Sequence, residues 1–118
     1  MRFNLLCCGS FWASAKDVIK DFPKAKSDIY DFLVNLSASP GLGDPVPGYG
    51  GKVFKQRWSL KSYNIGKTGG LRIYYYFHEG LLAPFFIFSK KQFADAPDKV
   101  ITDLVTDIEE DLIPPQVN

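Results

Sequence analysis

Hydrophobic and polar residues alternate along two central segments of the chain, which is the pattern of β-strands. Residues Val53 to Ser59 and Leu71 to Phe77 both alternate in this way, so each is predicted to form a strand with two unlike faces. The faces with charged and phenolic side chains carry Lys55 and Arg57 on the first strand, and Arg72, Tyr74 and Tyr76 on the second.

Two further strands are predicted from shorter patterns. The turn sequence from His78 to Gly80 precedes an apolar run from about Leu82 to Ser89, which we expect to return as a hairpin partner. Pro84 lacks an N–H donor, so it must lie at the start of that strand, at a sheet edge or in a bulge. The run from Phe3 to Cys8 is predicted to be a short buried strand.

Helical spacing begins after this first strand. Ser14, with Asp17 three residues later, resembles a capping box, and Pro23 interrupts the helix that would start there. A second, amphipathic helix is predicted from about Ala25 to Leu36, because apolar residues recur there along one face. These residues are Ile29, Phe32, Leu33 and Leu36.

The remaining segments are a glycine-rich loop and a last helix. Ser37 to Gly51 contains five glycines and three prolines and is predicted to be a structured loop. Asp95 as an N-cap, with an early proline after it, predicts a helix that the proline pair at 114–115 ends. Seven carboxylates lie between Asp95 and Asp111, with Lys99 as the only cation, so this helix is acidic.

This order of elements predicts one α+β domain over residues 1–118. A small antiparallel sheet would be accompanied by two N-terminal helices and a C-terminal helix. We expect the helices to cover one face of the sheet and to leave the other as a concave, basic and aromatic surface.

Composition narrows the functional classes. The net charge of +1 and the 46% of hydrophobic residues are ordinary for a globular domain. No apolar run approaches the roughly 20 residues of a membrane-spanning helix. The apolar stretch near the N-terminus is broken at Gly9 and Ser10, so we expect a cytoplasmic protein rather than a secreted one.

The adjacent Cys7 and Cys8 are predicted to be reduced, buried and structural. Because the chain has only one histidine besides this pair, we predict no metal site and no cofactor.

Positive charge is concentrated in one segment. Between Lys52 and Arg72 the chain has six basic residues and no acidic one. Because the whole chain is nearly neutral, this charge is local. Cations that alternate with aromatic residues suit a surface that meets phosphates and bases.

The motifs in and around this segment resemble those of a known family. Gly43 to Gly51 reads GDPVPGYGG and is similar to that family's G-D-x-x-P-G-T-G-G loop, and Lys55 to Trp58 is similar to the basic strand that follows it. Gly66 to Tyr76 reads GKTGGLRIYYY and is close to the signature G-K-S-G-G-x-R-x-I-Y-Y. Ile87 to Lys91 lies where members carry a strand ending in an alanine-lysine-asparagine-like run. The chain therefore resembles the RelE/HigB-type toxins of type II toxin–antitoxin modules.

The resemblance implies a small α+β ribonuclease fold and a bacterial cytoplasmic toxin that cuts mRNA in the ribosomal A site. Such toxins are held inactive by a cognate antitoxin, and they reach operator DNA only through it. The implied mechanism uses no metal and no other cofactor. The ribose 2′-hydroxyl attacks the neighbouring phosphate, and cationic side chains stabilise the charge that develops on the phosphoryl oxygens.

The same resemblance suggests roles for individual residues. Arg72 matches the signature arginine, whose planar fork suits two phosphate oxygens. Lys55 and Arg57 match the basic strand, and Lys91 lies near a further family cation, so these four are the catalytic candidates. The RNA-binding candidates are Lys52, Lys67, Tyr74, Tyr76 and Lys90.

Each candidate also has a structural alternative. Arg72 could instead form a salt bridge with the acidic last helix. Lys55 and Arg57 could be solvated strand residues, and at least one of Tyr74 and Tyr76 is expected to pack in the core. The chain also lacks the tyrosine or histidine that some members place near the carboxyl terminus to move protons, so the general acid and base stay unassigned.

Two other functions remain open at this point. A ParE-like toxin with the same fold would poison DNA gyrase without cutting nucleic acid. A catalytically silent toxin would act only as an antitoxin-binding co-repressor.

Overall fold

A single mixed sheet forms the centre of the fold. The structure, a computed structural model, describes residues 4–40 and 43–112, and within them five strands lie in the order β1-β5-β4-β3-β2. Strand β1 runs parallel to β5, and every other neighbouring pair is antiparallel. The strands are β1 (Asn4–Leu5), β2 (Asp44–Pro45), β3 (Val53–Trp58), β4 (Leu71–His78) and β5 (Leu81–Ser89). The helices are α1 (Gly9–Asp21), α2 (Ala25–Ala38) and α3 (Asp98–Asp111). The predicted α+β class is confirmed.

The predicted hairpin between β4 and β5 is present and contains a bulge. Glu79 and Gly80 have φ angles of 47° and 82°, as a tight two-residue turn between antiparallel strands requires. Tyr74 pairs with Phe86 and Tyr75 pairs with Pro84, so Phe85 is an extra residue on β5. Pro84 therefore lies beside a bulge, which is one of the three positions that its missing N–H allows.

Both faces of the sheet are covered by helices, contrary to the prediction that one face is open. Helices α1 and α2 pack on the first face, where the core consists chiefly of Phe11, Val18, Ile29, Phe32, Leu36, Leu71, Ile73, Tyr75, Leu82 and Ile87. Helix α3 packs on the opposite face, where the core consists chiefly of Val53, Tyr74, Tyr76, Ala83, Phe85, Phe88, Ile101, Val105 and Ile108. The prediction of an open face was wrong because the apolar stripe of α3 must be buried against a sheet face. The rings of Tyr74 and Tyr76 form part of that face.

The first helix starts earlier than predicted. Helix α1 begins at Gly9, so Ser14 is an interior residue and not a cap. The buried Ser14 hydroxyl donates to the carbonyl of Ser10 at 2.9 Å and accepts the Ile87 N–H at 3.0 Å. Ser14 therefore joins α1 to β5, and the capping-box interpretation was wrong.

Other element boundaries differ in smaller ways. Helix α3 begins at Asp98 with Pro97 as its N-cap. Asp95 is therefore not the N-cap that the sequence predicted; its carboxylate accepts hydrogen bonds from the Ala96 N–H and the Tyr74 hydroxyl. Strand β1 is exposed and not buried, and Cys7 and Cys8 are half-buried free thiols. The predicted strand residue Phe3 and the helix-ending prolines 114–115 lie outside the described residues.

The glycine-rich segment contains the short strand β2. Asp44 pairs with Lys55 and Pro45 pairs with Phe54, so β2 is an edge strand that covers only the first half of β3. The buried Tyr75 holds this segment in place, because its hydroxyl accepts the Gly43 N–H at 3.0 Å and donates to the Pro40 carbonyl at 3.0 Å. The free second half of β3 is the edge on which the site described below is built.

Gly70 is required where the loop before β4 meets the end of β3. A Cβ at Gly70 would clash with the Trp58 carbonyl oxygen and would lie 3.0 Å from the Gly66 oxygen and 3.2 Å from the Leu60 nitrogen. All three neighbours are backbone atoms and cannot turn away.

We therefore expect Gly70→Ala to lower the free energy of unfolding by about 1–3 kcal/mol through overpacking. The matched control is Gly66→Ala, whose Cβ would meet nothing within 4 Å, and it should change stability by less than about 0.5 kcal/mol. Urea denaturation of both variants measures this. Equal effects would contradict the packing argument.

Candidate nucleic-acid interface

An open cationic groove runs along the free edge of β3. Its volume is about 730 Å³, and Asn35, Gln56, Trp58 and one carboxylate, Asp44, form part of its wall. Strand β2 pairs only with Phe54 and Lys55, so the edge from Gln56 onward stays unpaired within the described chain. Four cations line this groove, and we call them the groove cations: Lys55, Arg57, Lys61 and Lys67.

Strand alternation and two anchored turns bring the groove cations together. Lys55 and Arg57 share a face of β3 because they are two residues apart. Lys61 opens a short 3₁₀ turn, which the buried Asp28 of α2 fixes by accepting the Ser62 N–H at 3.4 Å. Asp28 also accepts the Trp58 indole N–H through its backbone carbonyl at 3.0 Å. Tertiary contacts, and not local spacing, therefore place Lys61.

Arg72 positions the loop that carries Lys67. Its guanidinium donates to the carbonyls of Lys67 at 2.9 Å, Thr68 at 2.7 Å and Leu71 at 3.2 Å. The side chain is only 5% exposed, and it is not part of the groove wall. Burial, and then the neighbouring Arg57, lower the pKa of Arg72, although an arginine remains charged at neutral pH. The alternative interpretation, a salt bridge to the last helix, is not observed among the described residues, since backbone carbonyls accept the donors of Arg72.

Tyr74 and Tyr76 are buried and bonded to the segment around α3. The Tyr74 hydroxyl donates to Asp95 at 2.9 Å, and the Tyr76 hydroxyl donates to Glu109 at 3.1 Å. Burial, and then each hydrogen bond to a carboxylate, raise the pKa of both phenols, that of Tyr76 to about 12. Both rings lie in the core under α3, so neither offers a face on which a base can stack.

The remaining predicted residues fall into two groups. Lys52 and Lys55 pair with carboxylates, Lys52 with Glu109 at 3.4 Å and Lys55 with Asp95 at 3.7 Å. Lys90 and Lys91 are exposed beyond β5, and the Lys91 ammonium lies 5.9 Å from the ring of Phe22 at the end of α1. Lys91 is thus on the α1 side of the sheet and does not line the groove.

A second concavity, about 580 Å³ in volume, adjoins the groove. It lies between the glycine-rich segment and the start of α3, and Lys55 lines both cavities. We call it the Tyr49 pocket, because Tyr49 lines it together with Asp95 and Asp98. Sequence analysis missed this pocket, since Tyr49 and Asp98 are 49 positions apart and only the fold brings them together.

The cysteines lie in a separate cavity of about 400 Å³ toward the far end of α3. Burial raises the pKa of both thiols, that of Cys8 to about 11, so both stay protonated at neutral pH and are poor nucleophiles. Among residues 4–40 and 43–112, no three potential metal-ligating side chains gather at one place. In the same residues no helix is long and apolar enough to cross a membrane.

Comparison with known proteins adds no family assignment. No protein-family model matches the chain, and no curated protein matches it.

Arg72 and Arg57 are directly cross-strand but are expected to differ in their effect on stability. Arg72→Ala should lower the free energy of unfolding by about 1–3 kcal/mol, because the Lys67 and Thr68 carbonyls lose a charged donor. Arg57 is exposed, so Arg57→Ala should change it by less than about 0.5 kcal/mol. Chemical denaturation of the two variants measures the difference, and a stable Arg72→Ala protein would contradict the loop-holding role.

The Tyr74–Asp95 bond makes stability depend on pH in a definite direction. The hydrogen bond from Tyr74 is the main cause that lowers the pKa of Asp95. Its stabilisation is therefore complete above the unfolded-state pKa of about 3.9 and is lost as pH falls through the lower folded-state pKa.

We expect Tyr74→Phe to be less stable than the unaltered chain by about 1 kcal/mol at pH 7. This difference should shrink as the pH falls below about 4. The control is Tyr30→Phe, whose ring is half exposed on α2 and whose variant should follow the unaltered chain at every pH. Thermal unfolding across the acid range tests this, and a constant Tyr74→Phe difference would be inconsistent with it.

Proposed function

We propose that this chain is the toxin of a RelE/HigB-type toxin–antitoxin module and acts in the bacterial cytoplasm as a ribosome-dependent mRNA endoribonuclease. A cognate antitoxin is its regulatory partner. The observation that carries the proposal is the cationic groove on the free edge of β3, lined by Lys55, Arg57, Lys61 and Lys67. The motif resemblance supplies the reaction class, and the groove supplies a place for the RNA backbone.

The charge balance around the sheet supports binding of a polyanion in this groove. Lys52 and Lys55 are each paired with a carboxylate. Arg57, Lys61 and Lys67 form no ion pair with any described acidic residue, and all three are exposed. Uncompensated cations in a concave surface attract phosphates more strongly than the near-neutral remainder of the molecule does.

Within the proposed mechanism, Arg57 is the residue that stabilises charge on the phosphoryl oxygens. Its guanidinium is exposed in the groove, whereas the donors of Arg72 are directed to loop carbonyls. Arginine can hold two phosphate oxygens at once and stays charged at any working pH. Arg72 then acts as a positioning residue, because it holds the loop that presents Lys67.

A second candidate function also has an observation in its favour. The buried Arg72, bonded to three carbonyls, would suit a toxin that has lost nuclease activity and remains an antitoxin-binding co-repressor. A ParE-like gyrase poison would likewise not need an exposed signature arginine. Both candidates predict no RNA cleavage by folded protein.

Primer extension on an mRNA held in purified ribosomes tests these candidates. We expect new cuts within the A-site codon, reduced about 10²–10³-fold in Arg57→Ala, which is the usual effect of removing one group that stabilises developing charge. The matched control is Lys16→Ala, an exposed cation on α1, which should cut normally. Binding to ribosomes should also weaken steeply between low and moderate salt.

The alternatives give different results in the same samples. Folded protein that makes no cut but binds its antitoxin tightly would replace the nuclease with the silent co-repressor. DNA damage in cells with intact mRNA would favour the gyrase poison. Cleavage unchanged in Arg57→Ala but lost in a folded Arg72→Lys protein would return the catalytic role to Arg72.

A further inference from the structure

The Tyr49 pocket is built as a slot between two elements. The Tyr49 hydroxyl is 2.8 Å from the Thr102 hydroxyl oxygen, which fixes the phenol ring against the first turns of α3. Val46 and Ile101 contribute apolar surface, and Ala96 is buried beneath the rim. The pocket thus combines an aromatic ring and apolar surface with charged and polar side chains, as sites for organic ligands do.

Two carboxylates, Asp95 and Asp98, line this pocket beside the Lys55 ammonium. The bonds from the Tyr74 hydroxyl and the Ala96 N–H both reach Oδ1 of Asp95, so Oδ2 keeps its acceptor capacity. Asp98 also lines the pocket, and it makes no hydrogen bond or ion pair with another described residue. An ionised carboxylate accepts and cannot donate, so the rim selects ligands that present N–H donors.

The pocket opens beside the groove that we propose for the RNA backbone. Lys55 lines both cavities, and its ammonium lies 3.7 Å from Asp95 and 5.8 Å from the centre of the Tyr74 ring. Phosphates are attracted to Arg57, Lys61 and Lys67 and repelled by the carboxylates of the rim. A nucleotide would therefore keep its phosphate in the groove and direct its base into the pocket.

We infer that the Tyr49 pocket binds a guanine base of the RNA strand that lies in the groove, with Asp98 and Asp95 accepting the donors of its Watson–Crick edge; this inference rests on the proposed function. Guanine presents two adjacent donors on that edge, N1–H and the N2 amino group, which one carboxylate can accept together. Adenine, cytosine and uracil each have an acceptor beside the donor on this edge. A carboxylate repels that acceptor, because both carry negative charge. Stacking of the base on the Tyr49 ring adds affinity without selecting a base.

Fluorescence anisotropy with short single-stranded RNA tests the inference. The probes are UUGUU, UUAUU, UUCUU and UUUUU pentamers, and a pentamer with central inosine, which lacks the 2-amino group. We expect the guanine probe to bind roughly 10-fold or more tightly than the adenine, cytosine and uracil probes. Inosine should fall between guanine and the other bases, because it keeps N1–H only.

Two variants separate the pocket from the groove. Asp98→Asn should abolish the preference for guanine, whereas Asp107→Asn, the same substitution elsewhere on α3, should keep the preference. Arg57→Ala should weaken binding of all five probes by a similar factor. Thermal unfolding checks that each variant is folded.

The outcomes distinguish the two proposals. Binding of all probes with equal affinity, or with a preference for another base, would overturn the guanine pocket and leave the cationic groove intact. The guanine pocket would also be overturned if the Asp98→Asn variant still preferred guanine and bound the guanine and inosine probes with equal affinity. Failure of the folded protein to bind any probe would overturn the groove and, with it, the pocket.

Discussion

The structure depends on how strand β4 satisfies its polar groups while both of its faces are covered. Residues 71–76 are all buried, yet four of them carry polar atoms at the ends of long side chains. A buried polar group without a partner is strongly destabilising, so each head group must reach an acceptor. They do so at the margins of the sheet, and the four side chains are Arg72, Tyr74, Tyr75 and Tyr76.

The hydrogen bonds of these four side chains connect the sheet to three neighbouring segments. Arg72 holds the loop before β4, and Tyr75 holds the chain at Pro40 and Gly43. Tyr74 and Tyr76 attach the sheet to the carboxylates around α3. Side chains that look like ligand-binding residues in the sequence are therefore largely structural. The surface available to a ligand is therefore the free edge of the sheet at β3, and not the face of the sheet that the sequence predicted.

Local patterns predicted the parts of the fold that local physics determines. The alternation from Val53 and from Leu71 located β3 and β4 to within one residue. The missing N–H of Pro84 predicted a bulge, a strand start or an edge position, and the bulge is observed. The acidic segment from Asp95 to Asp111 is evident in the sequence, and two of its carboxylates, Asp95 and Glu109, pair with Lys55 and Lys52.

Other features could not be predicted from the chain because their causes are non-local. Tyrosine suits a core as well as a surface, so Tyr74 and Tyr76 did not reveal that α3 covers them. Ser14 resembled a helix cap because local sequence cannot show that its hydroxyl accepts the Ile87 N–H, which is 73 positions away. The Tyr49 pocket exists only because the glycine-rich segment and the start of α3 meet across β3 and β4.

Under the proposed function, the placement of charge would let a nearly neutral chain orient the RNA backbone. Glu109 of α3 pairs with Lys52, and Asp95, which precedes α3, pairs with Lys55; these exposed pairs add little to stability. Along β3, two carboxylates line the Tyr49 pocket, and the groove is lined by one carboxylate, Asp44, and by the unpaired cations Arg57, Lys61 and Lys67. A uniformly basic surface would hold RNA in any direction. Acceptors at one end and cations at the other favour a single arrangement, in which the base faces α3 and the phosphates face the open edge of β3.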